Sequence, residues 1–90
     1  HYRTPTAEEH KALEDLGLAL KHVEPTPEAI QGQVFEVGKR HNYANLRDWF
    51  KALYQILLGQ DEGPRMGSFI ALYGIQETIQ LIEDVLKKAD

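Results

Sequence analysis

The sequence predicts an all-α protein, a bundle of about five short helices. Apolar residues recur at spacings of three and four along most of the chain, which is the period of an amphipathic helix. Pro25, Gly59, Gly63 and Gly74 interrupt this pattern between the predicted helices. No segment alternates with the period of two that is typical of strands. We therefore expect residues 1–90 to form a single helical domain.

The first helical pair is predicted in residues 6–40. Thr6 followed by Glu9 has the form of a capping box, which predicts a helix start. The stretch from Glu24 to Pro27 ends this helix, and Thr26 before Pro27 is typical of an N-cap followed by proline at the first helical position. The second helix ends near Arg40. The apolar stripes of the two helices are Leu13, Leu16, Leu20 and Val23, and Ile30, Val34, Val37 and Gly38.

Three more helices are predicted in residues 45–90, the carboxyl-terminal part of the domain. Asn45 is a suitable N-cap for the third, and Gly59 lies where a C′ residue ends it. Residues 60–64 form a loop, and Gly74 ends a short fourth helix. The apolar faces are Leu46, Trp49, Phe50, Leu53, Tyr54, Ile56 and Leu57; Met66, Phe69, Ile70 and Tyr73; and Ile75, Ile79, Ile82, Val85 and Leu86.

Composition restricts the class of protein. Hydrophobic residues make up 42% and charged residues 27% of the chain, as in soluble globular domains. There is no cysteine, and no apolar run approaches the ~20 residues that span a bilayer. The chain begins with His1 rather than Met, so we interpret it as a segment of a longer protein.

Positive charge is concentrated in the middle of an acidic chain. The net charge is −4 overall, but residues 39–65 hold five basic and three acidic residues. A local basic patch of this kind can contact phosphates even on an acidic protein.

The residues indicate no catalytic or metal site. His1, His10, His22 and His41 lack metal-ligand spacing, and Ser68 has no nucleophile-elbow context. The glycines of residues 59–67 fit no phosphate-binding loop. We expect a non-catalytic fragment without a cofactor of its own.

One stretch, residues 57–74, carries a fixed order of features: a helix, a Gly stop, an acidic loop, a Gly-Pro-Arg restart, an apolar run and a second Gly stop. As a whole it closely resembles the end of class I lysyl-tRNA synthetases, and the flanking segments, roughly residues 46–88, look similar to that family too. Glutamyl-tRNA synthetases end in a looser form of the pattern. The residues that carry the resemblance are Gly59, Asp61, Glu62, Gly63, Pro64, Arg65 and Gly74, preceded by Trp49, Phe50, Lys51 and Tyr54.

This resemblance implies a helical anticodon-binding domain of the class I aminoacyl-tRNA synthetases. The parent enzyme would attach lysine to tRNA in the cytoplasm, with ATP and Mg²⁺ bound by a Rossmann-type domain that this sequence lacks. The implied partners are the anticodon loop of tRNA and the rest of the same synthetase chain, with no membrane partner.

Unpaired anticodon bases are recognised by a positive surface with interleaved aromatic and polar side chains. Arg40, Arg47 and Lys51 are predicted to contact phosphates, and Arg65 a base edge, because its planar fork binds two acceptors. Tyr43 or His41 would stack on a base. The full set of predicted RNA-binding residues is Lys39, Arg40, His41, Tyr43, Arg47, Lys51 and Arg65.

Alternatives remain open from the sequence. Arg65 would instead pair with Asp61 or Glu62, and Trp49 is expected in the core. Tyr54 and Tyr73 are expected there too, each with its hydroxyl reaching out. A glutamyl-tRNA synthetase fragment, or a helical protein-interaction module with no RNA role, also fits the composition. RNA binding requires the basic residues to gather on one face, whereas a docking module requires an exposed apolar groove.

Overall fold

The computed structural model describes residues 2–89 and, in that part of the chain, five α-helices and no strand. The all-α prediction is confirmed, and the chain forms a compact bundle with Cα extents of 29 × 27 × 22 Å. No helix within residues 2–89 combines the length and the apolar character needed to cross a membrane. The helices are α1 (Ala7–Leu20), α2 (Pro27–Arg40), α3 (Leu46–Leu53), α4 (Met66–Tyr73) and α5 (Ile75–Ala89).

The predicted helix starts are confirmed by their hydrogen bonds. The Thr6 hydroxyl accepts from the Glu9 N–H at 3.2 Å, and the Glu9 carboxylate accepts from the Thr6 N–H at 2.9 Å, which completes the capping box. The Thr26 side chain caps α2 through Ala29 N–H. The Asn45 side chain caps α3 by accepting from a first-turn N–H. Each bond satisfies a backbone donor that has no partner within the helix.

The predicted third helix continues past α3 as a π-helical turn, Tyr54–Leu58. The sequence predicts an ordinary helix here, because its apolar spacing does not distinguish the wider i→i+5 bonding. Gly59 then ends the helix with a left-handed φ of 69°, as its predicted C′ role requires. The π turn buries the adjacent residues Ile56 and Leu57 together.

The core lies between the helices and is centred on Trp49. This residue is fully buried, and its indole N–H donates to the Val34 carbonyl of α2 at 2.9 Å. Gly38 leaves the space that the indole ring fills, since a Cβ there would lie 2.5 Å from the Trp49 Cδ1. The predicted core position of Trp49 is confirmed, and its ring joins α3 to α2. The buried side chains around it come from all five helices and the π turn: Leu13, Leu16, Leu20, Ile30, Val34, Val37, Leu53, Ile56, Met66, Ile70, Ile79 and Ile82.

Helix α4 crosses α2 at close range. The Gly67 N–H donates to the Gln31 side chain at 2.6 Å, and a Cβ at Gly67 would collide with the Pro27 carbonyl. Helix α4 then passes into α5 without a loop, through Gly74 at φ 115°. The buried Thr78 hydroxyl donates to the Gly74 carbonyl at 2.8 Å, within the first turn of α5.

Candidate nucleic-acid interface

Arg47, Lys51 and Tyr54 lie on one face of the helix formed by α3 and the π turn. Their spacings of four and three residues place them in a row, with both cations exposed. The Tyr54 hydroxyl donates to the Pro64 carbonyl at 2.8 Å, which brings the next residue, Arg65, to the end of the same row. We name Arg47, Lys51 and Arg65 the cationic row.

The loop before Arg65 packs against the row. A Cβ at Gly63 would lie 3.2 Å from the Tyr54 ring and 3.4 Å from Leu58, so a larger residue would push the loop outward. The predicted core ring with a reaching hydroxyl is observed for Tyr54, whose partly buried ring packs on the core. Tyr54 therefore positions the start of α4.

The three side chains of the cationic row make no ion pair with any residue in 2–89. The alternative in which Arg65 pairs with Asp61 or Glu62 is thus not observed in the described chain. Instead, the Asp61 carboxylate accepts from the Gln55 side chain at 3.0 Å. The exposed charges of the row remain available to anions.

Arg40 and His41 are held by one carboxylate. The Arg40 guanidinium donates twice to Asp15 of α1, at 3.0 and 3.1 Å, and the His41 Nε2 lies 2.9 Å from the same group. Lys39 lies 3.6 Å from Glu36 within α2. These predicted RNA-binding residues therefore have acidic partners within the fold, and the Asp15 bonds join α1 to the end of α2.

Tyr43 also packs inside the molecule. Its ring centroid lies 5.2 Å from that of Trp49, and burial, with the nearby Glu9 charge, raises the pKa of its hydroxyl. Part of the ring surface expected for base stacking is thereby covered.

The predicted site residues thus fall into two groups. Lys39, Arg40, His41 and Tyr43 lie at the corner between α2 and α3. Arg65 starts α4 beside the first turn of α2, about 20 Å along that helix from Arg40. Arg47 and Lys51 on α3 lie between the two. The basic residues are therefore spread along α2, α3 and the start of α4 and do not form a compact cluster.

Two features of this surface are missed by the sequence prediction. Tyr73, expected in the core, is 48% exposed on α4. Helical spacing carries no signal for this exposure, because both sides of α4 are apolar. Arg3 is the other: it binds Glu9 through two 2.7 Å bonds and Gln55 through a third, joining the amino-terminal segment to the loop that holds Asp61. No helical spacing relates Arg3 to these partners, so its contacts cannot be predicted from the sequence pattern.

No group of three or more His, Asp or Glu within the described residues is placed to hold a metal ion. His10 and His22 lie on or near α1 and His41 beside α2, whereas His1 lies outside the described residues.

The Asp15 pairing predicts an acid-dependent loss of stability. The hydrogen bond from Arg40, with that from His41, holds the pKa of Asp15 below its ordinary value of 3.8. The stabilising effect of ionised Asp15 is therefore full above its ordinary pKa and is lost as the pH falls through its lower pKa in the folded state.

In urea titrations between pH 7 and pH 2, Asp15→Asn should lower stability at pH 7 and flatten the decline in stability below about pH 4. Glu83→Gln, which removes an exposed acid from α5, should leave the acid profile unchanged; equal profiles for wild type and Asp15→Asn would contradict the pairing.

Comparison with known proteins identifies lysine–tRNA ligases among the relatives of this chain. A lysine–tRNA ligase of Rickettsia bellii (strain OSU 85-389) is 52% identical over 88 residues, and one of Rickettsia rickettsii (strain Sheila Smith) is 47% identical over 87. A third, from Rickettsia massiliae (strain Mtu5), is 46% identical over 87 residues. No family model matches the chain, and no solved structure matches it significantly.

These alignments cover 94% of the chain but 17% of each ligase, so the chain spans about one sixth of the length of these curated relatives. The identity extends well beyond residues 46–88, into the first helical pair where the resemblance was weaker. Over nearly all of its length, the chain is homologous to a segment of the lysine–tRNA ligases.

Proposed function

We propose that the chain is the carboxyl-terminal, non-catalytic, anticodon-binding segment of a class I lysine–tRNA ligase. It would hold lysine tRNA in the cytoplasm while a separate Rossmann-type domain, with ATP and Mg²⁺, attaches the amino acid. The observation that carries the proposal is the cationic row, three exposed cations without acidic partners in the described chain. Homology to lysine–tRNA ligases supports tRNA as the molecule that these cations bind.

The geometry supports the following roles within the segment. Arg47 and Lys51 contact consecutive phosphates, because they lie one helical turn apart on an exposed face. Arg65, at the end of the row, binds a base edge with its planar fork. Lys39 and Arg40 extend the phosphate contacts at the α2–α3 corner while they keep their acidic partners. His41 and Tyr43 line that corner, and their partly buried rings offer a base less surface.

The amino end of α4 contributes less to anion binding than the free N–H groups of a helix start would suggest. The Gln31 side chain already accepts from the Gly67 N–H, so this first-turn donor is occupied within the fold. Anion binding at this end would therefore depend on the Arg65 side chain.

The proposal predicts an electrostatic effect of the cationic row on RNA binding. Arg47→Ala and Lys51→Ala should each weaken binding of the lysine tRNA anticodon stem–loop, because each removes a phosphate contact. They should weaken binding to other tRNAs equally and reduce the slope of log K against log salt by about 0.7. Arg65→Ala should instead reduce discrimination between anticodons. Fluorescence anisotropy at several salt concentrations measures both effects.

Lys11→Ala is the matched control, since it removes an exposed cation from α1 with the same loss of charge. If Lys11→Ala weakens binding as much as Arg47→Ala and Lys51→Ala do, the effect is one of net charge and the assignment of the row is wrong. If none of the variants changes binding, the anticodon-binding function itself fails.

A further inference from the structure

The outer face of α4 is apolar and exposed. Phe69, Leu72 and Tyr73 follow Arg65 at intervals of four, three and one residues, so the four side chains share one side of the helix. The opposite side packs on α2 through Met66, Gly67 and Ile70, all buried. A helix that is apolar on all sides is normally covered on all sides. Here Leu72 is 90% exposed, so this face is open to a ligand.

The rings of Phe69 and Tyr73 are stacked. Their centroids lie 5.3 Å apart and their planes differ by 13°. Phe69 is partly buried against the core, whereas Tyr73 is about half exposed. Phe69 thus lies between the core and the Tyr73 ring and supports that ring. The exposed part of Tyr73 is the solvent-facing end of the aromatic stack.

The charge of this face of α4 indicates which class of ligand it can bind. From Gly63 to Gln76 the chain holds one charged residue, Arg65, which makes no ion pair in the described structure. Tyr73 lies eight residues, about 12 Å, along α4 from the unpaired Arg65 guanidinium. An aromatic stack and a cation at this separation match an unpaired nucleobase and an adjoining nucleotide bound by Arg65, since every base has a π face. Arg65 also ends the cationic row, so this face and the row are continuous. A ligand whose phosphates follow Arg47 and Lys51 reaches Arg65 first and then the face of α4 that carries Tyr73.

We infer that Tyr73, backed by Phe69, is the platform on which an unpaired base of the bound RNA stacks, with Leu72 covering the edge of that base. This inference rests on the proposed RNA-binding function and transfers the stacking role from Tyr43 and His41 to α4.

The test distinguishes the effect of the aromatic face of Tyr73 on RNA binding from the effect of its apolar area. In the full protein that carries the chain, Tyr73→Phe keeps the ring and should bind the lysine tRNA anticodon stem–loop as the wild type does. Tyr73→Leu keeps apolar area but removes the π face, and should weaken binding by at least about fivefold, the lower end of the effect of losing one stacked base. The thermal midpoint of both variants should stay within about 2 °C of the wild type, because Tyr73 is half exposed.

A scan of abasic stem–loops sharpens this test. At one loop position, loss of the base should weaken binding to the wild type but cause no further loss with Tyr73→Leu, because both changes remove the same stack. Equal binding of Tyr73→Leu and wild type, while Arg47→Ala still weakens binding, would overturn the platform and leave the proposed function intact. If Tyr73→Leu and Leu72→Glu lower the thermal midpoint of the full protein and all abasic positions respond alike, the face docks on protein and the inference is wrong.

Discussion

Trp49→Ala is expected to destabilise the chain by about 3–5 kcal/mol, the range for removing a large aromatic side chain from a core. The indole is fully buried, fills the space over Gly38 and donates to the Val34 carbonyl. Its loss removes the fully buried ring that packs α3 on α2. Since single domains have a total stability of about 5–15 kcal/mol, the variant should lose a large share of it.

Denaturant titration followed by circular dichroism measures the effect of Trp49→Ala. Trp49→Phe retains part of the ring and should lose distinctly less stability than the alanine variant. Phe35→Ala is a useful comparison on the same helix pair. The centroids of the Phe35 and Phe50 rings lie 5.2 Å apart, but Phe35 is itself exposed. A loss from Phe35→Ala equal to that from Trp49→Ala would show that Trp49 is not the centre of this packing.

Gly67→Ala is expected to destabilise the chain by about 1–3 kcal/mol, although alanine is the better helix former. The new methyl group would collide with the Pro27 carbonyl and lie 2.8 Å from the Gln31 Cβ and 2.9 Å from the Gln31 N. Two of these three atoms belong to the α2 backbone, which does not move aside as the end of a side chain does. Relief requires α4 to move away from α2, which also lengthens the bond between the Gly67 N–H and Gln31.

The matched control for Gly67→Ala is Gly32→Ala in α2. A Cβ at Gly32 meets nothing within 4 Å, so this variant should gain about 0.4–1 kcal/mol from helix propensity and a less flexible unfolded chain. Urea titration of the two variants should therefore shift the midpoint in opposite directions. A midpoint that rises for Gly67→Ala would mean that α2 and α4 are not in the close contact described above.

Much of the fold could be predicted because local rules and packing agree along this chain. The cap at Thr6, the Thr26-Pro27 start and the Gly59 stop each depend on a few neighbouring residues, and all three are confirmed. The π turn could not be predicted, since its apolar residues are spaced as in an ordinary helix. Tyr73 was misplaced for a related reason: α4 is apolar on both sides, so periodicity does not tell which side faces the core.

The candidate site is less predictable than the fold because ion pairs between distant residues leave no pattern in sequence. Arg40 and Asp15 are 25 residues apart, yet their pairing changes how free Arg40 is to bind phosphate. Arg47 and Lys51 are different, because a spacing of four on one helix already places them side by side. Arg65 joins their row through the hydroxyl of Tyr54, a contact that depends on the path of the loop.

The loop-free junction at Gly74 has a consequence for how strongly the outer face of α4 would hold a ligand. A flexible connection would let this helix sample many orientations, and binding would then have to freeze that motion at a cost in conformational entropy. The Gly74 junction and the close packing of Gly67 on α2 hold α4 in place before any ligand arrives. The exposed aromatic ring at the end of α4 is thus preorganised, and more of its contact energy is retained as affinity.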